Sequence, residues 1–218
     1  MRATFRALLL AAVGAMALSA CGEAKPAVEL GPAATVRGRE QTPKDVQLII
    51  DQGAKAIDQQ DFATALSLLR PIAEQGYAGA QDKLGDMYDA GQGVPENDVE
   101  AAKLYRLAAD QGLASAQVSL GIKYQLGEGV PENWADAVKW YRLAADQGDR
   151  GGQYALGRMY ADGRGVPENY VDAYKWFVLA LAQGNGFAEY DRDLLRDKMT
   201  PAQIAEAQKL AAEWKPKK

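Results

Sequence analysis

The stretch Leu113-Ala-Ser-Ala-Gln-Val-Ser-Leu-Gly-Ile-Lys-Tyr-Gln-Leu-Gly-Glu-Gly-Val-Pro-Glu-Asn-Trp-Ala-Asp-Ala-Val-Lys-Trp-Tyr-Arg-Leu-Ala-Ala-Asp-Gln-Gly148 decides the fold, because its pattern occurs three times. Gly-Val-Pro-Glu-Asn stands at 93–97, 129–133 and 165–169, and Leu-Gly at 84–85, 120–121 and 156–157. Tyr88, Tyr124 and Tyr160 keep the same interval of 36, as do Ala101, Ala137 and Ala173. Gln-Gly closes each unit at 75–76, 111–112, 147–148 and 183–184. A fixed period of this length is the mark of a stacked array.

Each unit reads as two helices. The first, near 77–90 in the first copy, carries Leu84 and Tyr88 four apart with Gln81 and Gly85 alongside, which is helical spacing. The second, near 98–111, carries Ala101, Leu104, Tyr105 and Ala108 at the same spacing. Gly91 and Gly93 stop the first helix, since glycine accepts the left-handed conformation that ends helices. Val94-Pro95 forces an extended segment. Asn97 is then an N-cap, with Glu100 three residues on; Asn133 with Asp136 and Asn169 with Asp172 repeat the spacing.

These residues resemble the Sel1-like repeat, a relative of the tetratricopeptide repeat. The match runs Ala80-Gln81-x-x-Leu84-Gly85-x-x-Tyr88, then Gly91-x-Gly93-Val94, then Ala101-x-x-Leu104-Tyr105-x-x-Ala108-Ala109-x-Gln111-Gly112. The second unit is closest, with Trp140-Tyr141, and the third departs at Gly152 and at 179–183. The resemblance implies an all-α solenoid of about five stacked helix pairs, a Sel1-like/TPR-like superhelix. Three repeats occupy 77–112, 113–148 and 149–184. An N-terminal TPR-like helix pair occupies 44–76, and a C-terminal capping pair occupies 185–214. Thr200-Pro201-Ala202-Gln203 gives the last helix a strong start. Residues 215–218 form a small basic tail, read as solubilising.

The N-terminus reads as an address. Arg2 and Arg6 precede an apolar run from Ala7 to Ala17, too short to cross a bilayer and suited to a secretory signal. It ends in Leu18-Ser19-Ala20-Cys21, which resembles the lipobox of bacterial lipoprotein precursors. That resemblance implies cleavage after residue 20 and lipidation of Cys21, the only cysteine of the chain. With Gly22 next, likeness to Gram-negative lipoproteins favours the outer membrane. Residues 21–43, with Pro26, Gly31, Pro32, Gly38 and Pro43 and no apolar periodicity, read as a flexible tether. The expected place is therefore the bacterial cell envelope, lipid-anchored, facing the periplasm or the surface.

Composition narrows the chemistry. The 218 residues contain no histidine, which removes the commonest general base, the Ser-His-Asp and Cys-His arrangements and every histidine metal site. One cysteine permits no internal disulfide and no cysteine zinc cluster. A formal charge of -4 and a sequence pI near 5.0 speak against nucleic acid. No catalytic residue, cofactor or metal site is expected.

Residues that recur in every unit serve stacking. This holds for Glu96, Glu132 and Glu168, and for the Gly-x-Gly-Val loops, which no Gly-Lys-Ser/Thr follows. Trp140, Tyr141, Trp176 and Phe177 read as core, and Asp191, Asp193 and Asp197 as a solvated face. The informative positions vary between units, on the first helices that line the concave face of stacked pairs. They are Lys83, Asp86 and Met87; Ser119, Ile122 and Lys123; Arg158 and Met159. A patch mixing Ile122 and Met159 with Lys123 and Arg158 suits an amphipathic partner segment. Asp98, Trp134 and Tyr170 also vary, at the start of the second helices, and read either as partner-binding or as loop staples.

The expected function is a non-enzymatic scaffold, adaptor or regulator at the envelope, binding a protein or peptide on its concave face, as a monomer. The alternative is a cell-wall-directed protein acting on or binding peptidoglycan or β-lactam, as some cysteine-rich Sel1-like proteins are associated with. This chain lacks their cysteine pairs and any Ser-x-x-Lys.

Overall fold

The computed structural model of the protein describes residues 42–217. The expected signal segment 1–20, Cys21 and the expected tether as far as residue 41 lie outside the described residues. Among the described residues there are ten helices and no strand. They are α1 (Pro43–Asp58), α2 (Phe62–Glu74), α3 (Ala78–Asp89), α4 (Asp98–Asp110), α5 (Ala114–Leu126), α6 (Trp134–Asp146), α7 (Arg150–Asp162), α8 (Tyr170–Ala182), α9 (Phe187–Arg196) and α10 (Pro201–Glu213). The chain is an all-α helical repeat solenoid.

The helix starts follow from their caps. Thr42 and Asp45 form a reciprocal capping box on α1, and Thr200 and Gln203 form one on α10. Asn97, Asn133 and Asn169 each accept a hydrogen bond from the N–H three residues on. The reciprocal half of those boxes is absent. The backbone N–H groups of Asn97, Asn133 and Asn169 donate instead to the carbonyls of Tyr88, Tyr124 and Tyr160. The cap thus ties the second helix of a unit to the end of its first. The carboxylates of Asp136 and Asp172 accept from the Asn133 and Asn169 side-chain amides at 2.6 and 2.8 Å.

Helix packing alternates along the chain, each helix resting on the next from α1 to α9. First helices also meet across units, α1 with α3, α5 with α7 and α7 with α9. They therefore form the inner, concave layer. The apolar stripes of each pair close the core. Leu84 and Met87 meet Leu104 and Leu69 at one end, and Trp140 reaches back onto Ala101, Tyr105 and Leu120. Trp140, Tyr141, Trp176 and Phe177 are all buried, as their spacing indicates.

The C-terminus departs from a fifth stacked pair. Helices α9 and α10 both pack on α8 rather than chiefly on one another. Helix α10 lies against α8, in the second-helix layer. Residues 214–217 fold back as well. Trp214 meets Trp176 edge-on with ring centroids 6.1 Å apart, and the Lys217 ammonium is 2.8 Å from the Asp146 carboxylate. The lysine tail is thus not merely solubilising: Lys217 fastens the chain end to α6.

Candidate functional site

The repeated side chains hold the units in register. Gln81, Gln117 and Gln153 are buried on α3, α5 and α7. Each donates to a carbonyl in the last turn of the preceding second helix, namely Ala73, Ala109 and Ala145. Each accepts from the terminal glutamine of its own unit, Gln111, Gln147 or Gln183, at 2.8 Å in every case. Gly121 lies flat under Tyr141, where a Cβ would come within 2.4 Å of the ring. Arg142 donates to the Tyr160 hydroxyl of the next unit at 2.6 Å, as Arg106 does to Tyr124. All of this is scaffold, and it leaves the concave surface to residues outside the pattern.

The varied positions of the first helices divide into two registers. Positions 86, 122 and 158 face outward. The Asp86 side chain is 41% exposed and the Arg158 side chain 52%, and Ile122 is 42% exposed. Lys83 and Ser119 are half-buried beside them. Positions 87, 123 and 159 face inward, so three expected partner contacts are corrected. Met87 and Met159 are core residues. Lys123 is buried, 3% exposed, and its ammonium is held by the carboxylates of Asp89, Asp98 and Glu128. A methionine-sized slot that points into the core takes a lysine only because three carboxylates meet its tip.

Burial pulls the Lys123 pKa down, but the hydrogen bonds to Asp89, Asp98 and Glu128 outweigh it and hold the group above the ordinary lysine value. The three carboxylates approach within 4.8 Å of one another, a spacing that suits a cation, and the chain's own ammonium fills it.

The acidic character extends along α3. Asp82, Asp86 and Asp89 lie at i, i+4 and i+7 on one helix face. Asp86 accepts from the Tyr105 hydroxyl at 3.0 Å and from Lys83 at 2.9 Å. Asp82 is buried and accepts from the Ser115 hydroxyl of the next unit at 3.0 Å, while its other oxygen has no partner among the described residues. Burial, with Asp86 beside it, raises the Asp82 pKa against the opposing pull of Lys83 and Ser115. Desolvation, with Asp86, Asp89 and Asp82 nearby, likewise holds the Tyr105 proton on.

Between α1 and α3 this face opens into a cavity of about 420 Å³. Ala54, Ile57 and Ala90 give it apolar walls, and Asp58, Asp86, Asp89 and Lys83 surround them. Sequence reading missed Asp58 and Asp89. The i, i+4, i+7 spacing on α3 could have found Asp89; Asp58 arrives from another helix and leaves no local signal. A smaller hollow at the other end is lined by Arg158, Asp162, Asp191 and Lys198 with Phe177 and Leu194, and its charges balance. Tyr154 donates to Asp191 there at 2.8 Å, so Asp191 is tied to the fold rather than merely solvated. Trp134 donates to Glu132 at 2.6 Å and stacks under Arg164, which is the loop staple. Among the described residues, no helix is long and apolar enough to cross a membrane.

Comparison with known proteins adds to this geometry. The family model described as the Sel1 repeat matches residues 78–113, 114–149 and 151–185. The chain is similar to a protective antigen present in uropathogenic Escherichia coli strains, whose crystal structure displays an SLR fold. Identity is 34% and the TM-score 0.67, over 77% of this chain and 38% of that one. It is also similar to the crystal structure of a Sel1 repeat protein from Oxalobacter formigenes. There identity is 31% and the TM-score 0.65, over 75% of this chain and 70% of that one. No curated protein matches the chain.

Proposed function

The chain belongs to the Sel1 repeat family, and from that premise we propose that it is a non-enzymatic interaction scaffold of the bacterial envelope. Sel1 repeat proteins mediate protein–protein interaction. In this chain the bound segment lies along the concave face of α3, α5 and α7. The observation that carries this reading is the outward register Asp86, Ile122, Arg158. The backbone frame repeats, the buried positions repeat, and the exposed residue changes from acidic to apolar to basic. Ile122 places an exposed apolar side chain at the centre of the concave layer, between the acidic and the basic position.

The lipobox-like Leu18-Ser19-Ala20-Cys21 supports anchoring through Cys21. Two or more acyl chains suffice for stable attachment. The tether then holds a monomeric solenoid near the membrane without pressing it against the lipid.

Two measurements test the proposal. Cys21→Ser releases the protein from the membrane fraction and leaves its circular dichroism unchanged; continued membrane fractionation refutes the anchor. A photo-crosslinking residue at position 122 captures a protein partner in cells, whereas one at Leu143, exposed on the second-helix layer, does not. Equal capture from both positions, or capture from Leu143 alone, refutes the concave-face reading.

A further inference from the structure

We infer that the cavity between α1 and α3 is a subsite for a lysine or arginine side chain of the bound segment, followed by an apolar side chain that rests on Ile122. The inference rests on the concave-face reading above. Its first support is charge. Asp58, Asp82, Asp86, Asp89, Asp98 and Glu128 gather at this end, against the ammonium groups of Lys83 and Lys123. Lys123 is committed inside its carboxylate cage, and Lys83 is bound to Asp86 at 2.9 Å with Asp82 at 3.8 Å. A surplus of negative charge remains after both cations are counted. Asp58 stands at the rim, exposed, with no salt bridge within 4 Å among the described residues.

The second support is shape. The cavity is not a bare acidic surface. Ala54 and Ile57 on α1 and Ala90 just past the end of α3 provide an apolar channel that carboxylates surround. A lysine or arginine has that form, an aliphatic stem below a cationic head. An acidic side chain would be repelled by the carboxylates that outnumber Lys83 here, and a neutral polar one would gain hydrogen bonds but no ion pair.

The third support is polarity along the groove. The opposite hollow carries Arg158 and Lys198 against Asp162 and Asp191, so it attracts neither sign. Charge therefore acts at one end only and orients the segment. First helices of neighbouring units stand about 8–10 Å apart. The cavity lies between α1 and α3, about one and a half such spacings from α5, so the apolar residue that meets Ile122 falls about four residues from the basic one in an extended segment.

The test pans a random library of short peptides displayed on phage against the full chain. Enriched peptides are then labelled with fluorescein and measured by anisotropy. Enriched sequences are expected to carry Lys or Arg about four residues from an apolar residue. Asp58→Lys weakens their binding about fivefold or more, and replacing the peptide's basic residue by Glu restores binding to that variant. Asp58 is the exposed last residue of α1, where a lysine favours the helix dipole, so the variant keeps its fold. Raising salt from about 50 to about 300 mM also weakens binding.

Enrichment without an excess of Lys or Arg, or binding indifferent to Asp58→Lys and to salt, overturns the subsite. If such peptides still lose affinity with Ile122→Asp, the concave-face reading survives alone. If nothing is enriched, or binding ignores Ile122→Asp as well, both fall.

Discussion

Replacing Gly129 by alanine tests the way the units are held together. Gly129 has φ +69°, and a Cβ there would stand 2.1 Å from the Asp98 carbonyl oxygen, 2.4 Å from its carbon and 2.8 Å from the Val99 nitrogen. These are backbone atoms at the start of α4, in the preceding unit, and they cannot rotate away. The left-handed conformation costs an alanine about 1–2 kcal/mol. Overlap in a packed interface adds about 1–3 kcal/mol, and the stiffer unfolded chain returns about 0.4–1 kcal/mol. The expected loss is about 2–4 kcal/mol. Gly112 supplies the control, because it has φ +89° with nothing within 4 Å of the added carbon. There only the backbone term remains, and Gly112→Ala loses about 1 kcal/mol or less. Both variants are measured by urea unfolding followed by tryptophan fluorescence. Gly165 also faces backbone, the Trp134 carbonyl oxygen at 2.3 Å, whereas Gly93 faces the Phe62 side chain at 2.6 Å. The expected order of damage is therefore Gly129 and Gly165, then Gly93, then Gly112. Equal losses at Gly129 and Gly112 would refute the claim that the loop is wedged against the neighbouring unit.

Lys123→Met fits the slot that Met87 and Met159 fill in the adjacent units, but it leaves Asp89, Asp98 and Glu128 facing one another. It loses about 1–2 kcal/mol at neutral pH, discounted because the carboxylates are part-exposed. Millimolar calcium recovers part of the loss in urea melts. Because the folded Lys123 pKa is raised, its stabilisation is complete below about pH 10 and fades only as pH climbs through the folded value. Asp82 behaves in the opposite sense. Its folded pKa is raised, so the folded chain still holds the proton above about pH 3.9, where the unfolded chain has lost it. Stability due to this group falls as pH rises through that window. Asp82→Asn is expected to be at least as stable as the parent at neutral pH, with the difference vanishing in acid. A parent that stays more stable than Asp82→Asn at neutral pH contradicts this. Gln117→Ala removes one of two donors to the Ala109 carbonyl, the Gly112 N–H remaining, and takes the acceptor from the Gln147 amide; it costs about 0.5–1.5 kcal/mol, read by the same melts.

The parts of this molecule that repeat were legible in the sequence, because a period carries its own check. Leu84 and Tyr88, the Gly-Val-Pro loops and the Asn caps recur, and a structure with those residues anywhere else would break all units alike. Position 123 shows where this stops. Lysine between two methionines reads as a surface residue that varies, yet the position points inward in every unit. The better signal was the pair Met87 and Met159: two apolar residues out of three mark a core slot, and the lysine is the exception to be explained. The explanation needs Asp89, Asp98 and Glu128, which come from the end of α3, the start of α4 and the loop after α5, so no local pattern announces it. Asp58 and the fold-back of Lys217 onto Asp146 were hidden for the same reason, one contact lying between helices and the other spanning 71 residues.

The exposed register is not free of the core beneath it, and this limits which residue each unit can present. Tyr105 sends its hydroxyl to Asp86, so the acidic residue at the α3 end also satisfies a buried aromatic and is fixed by it. In the next unit the Tyr141 hydroxyl goes to Gln125 at 2.8 Å, which leaves position 122 without a structural duty and able to carry isoleucine. In the third unit the same place is held by Phe177, which has no hydroxyl to satisfy, and position 158 can be basic. The sequence of acidic, apolar and basic residues along the concave face is thus matched by Tyr, Tyr and Phe one layer down. A carboxylate held by a tyrosine is a rigid acceptor, and its side-chain entropy is lost on folding rather than on binding. On the proposed reading, the end of the groove that carries the excess charge is thus also the end whose acceptor is already ordered for a partner's cation.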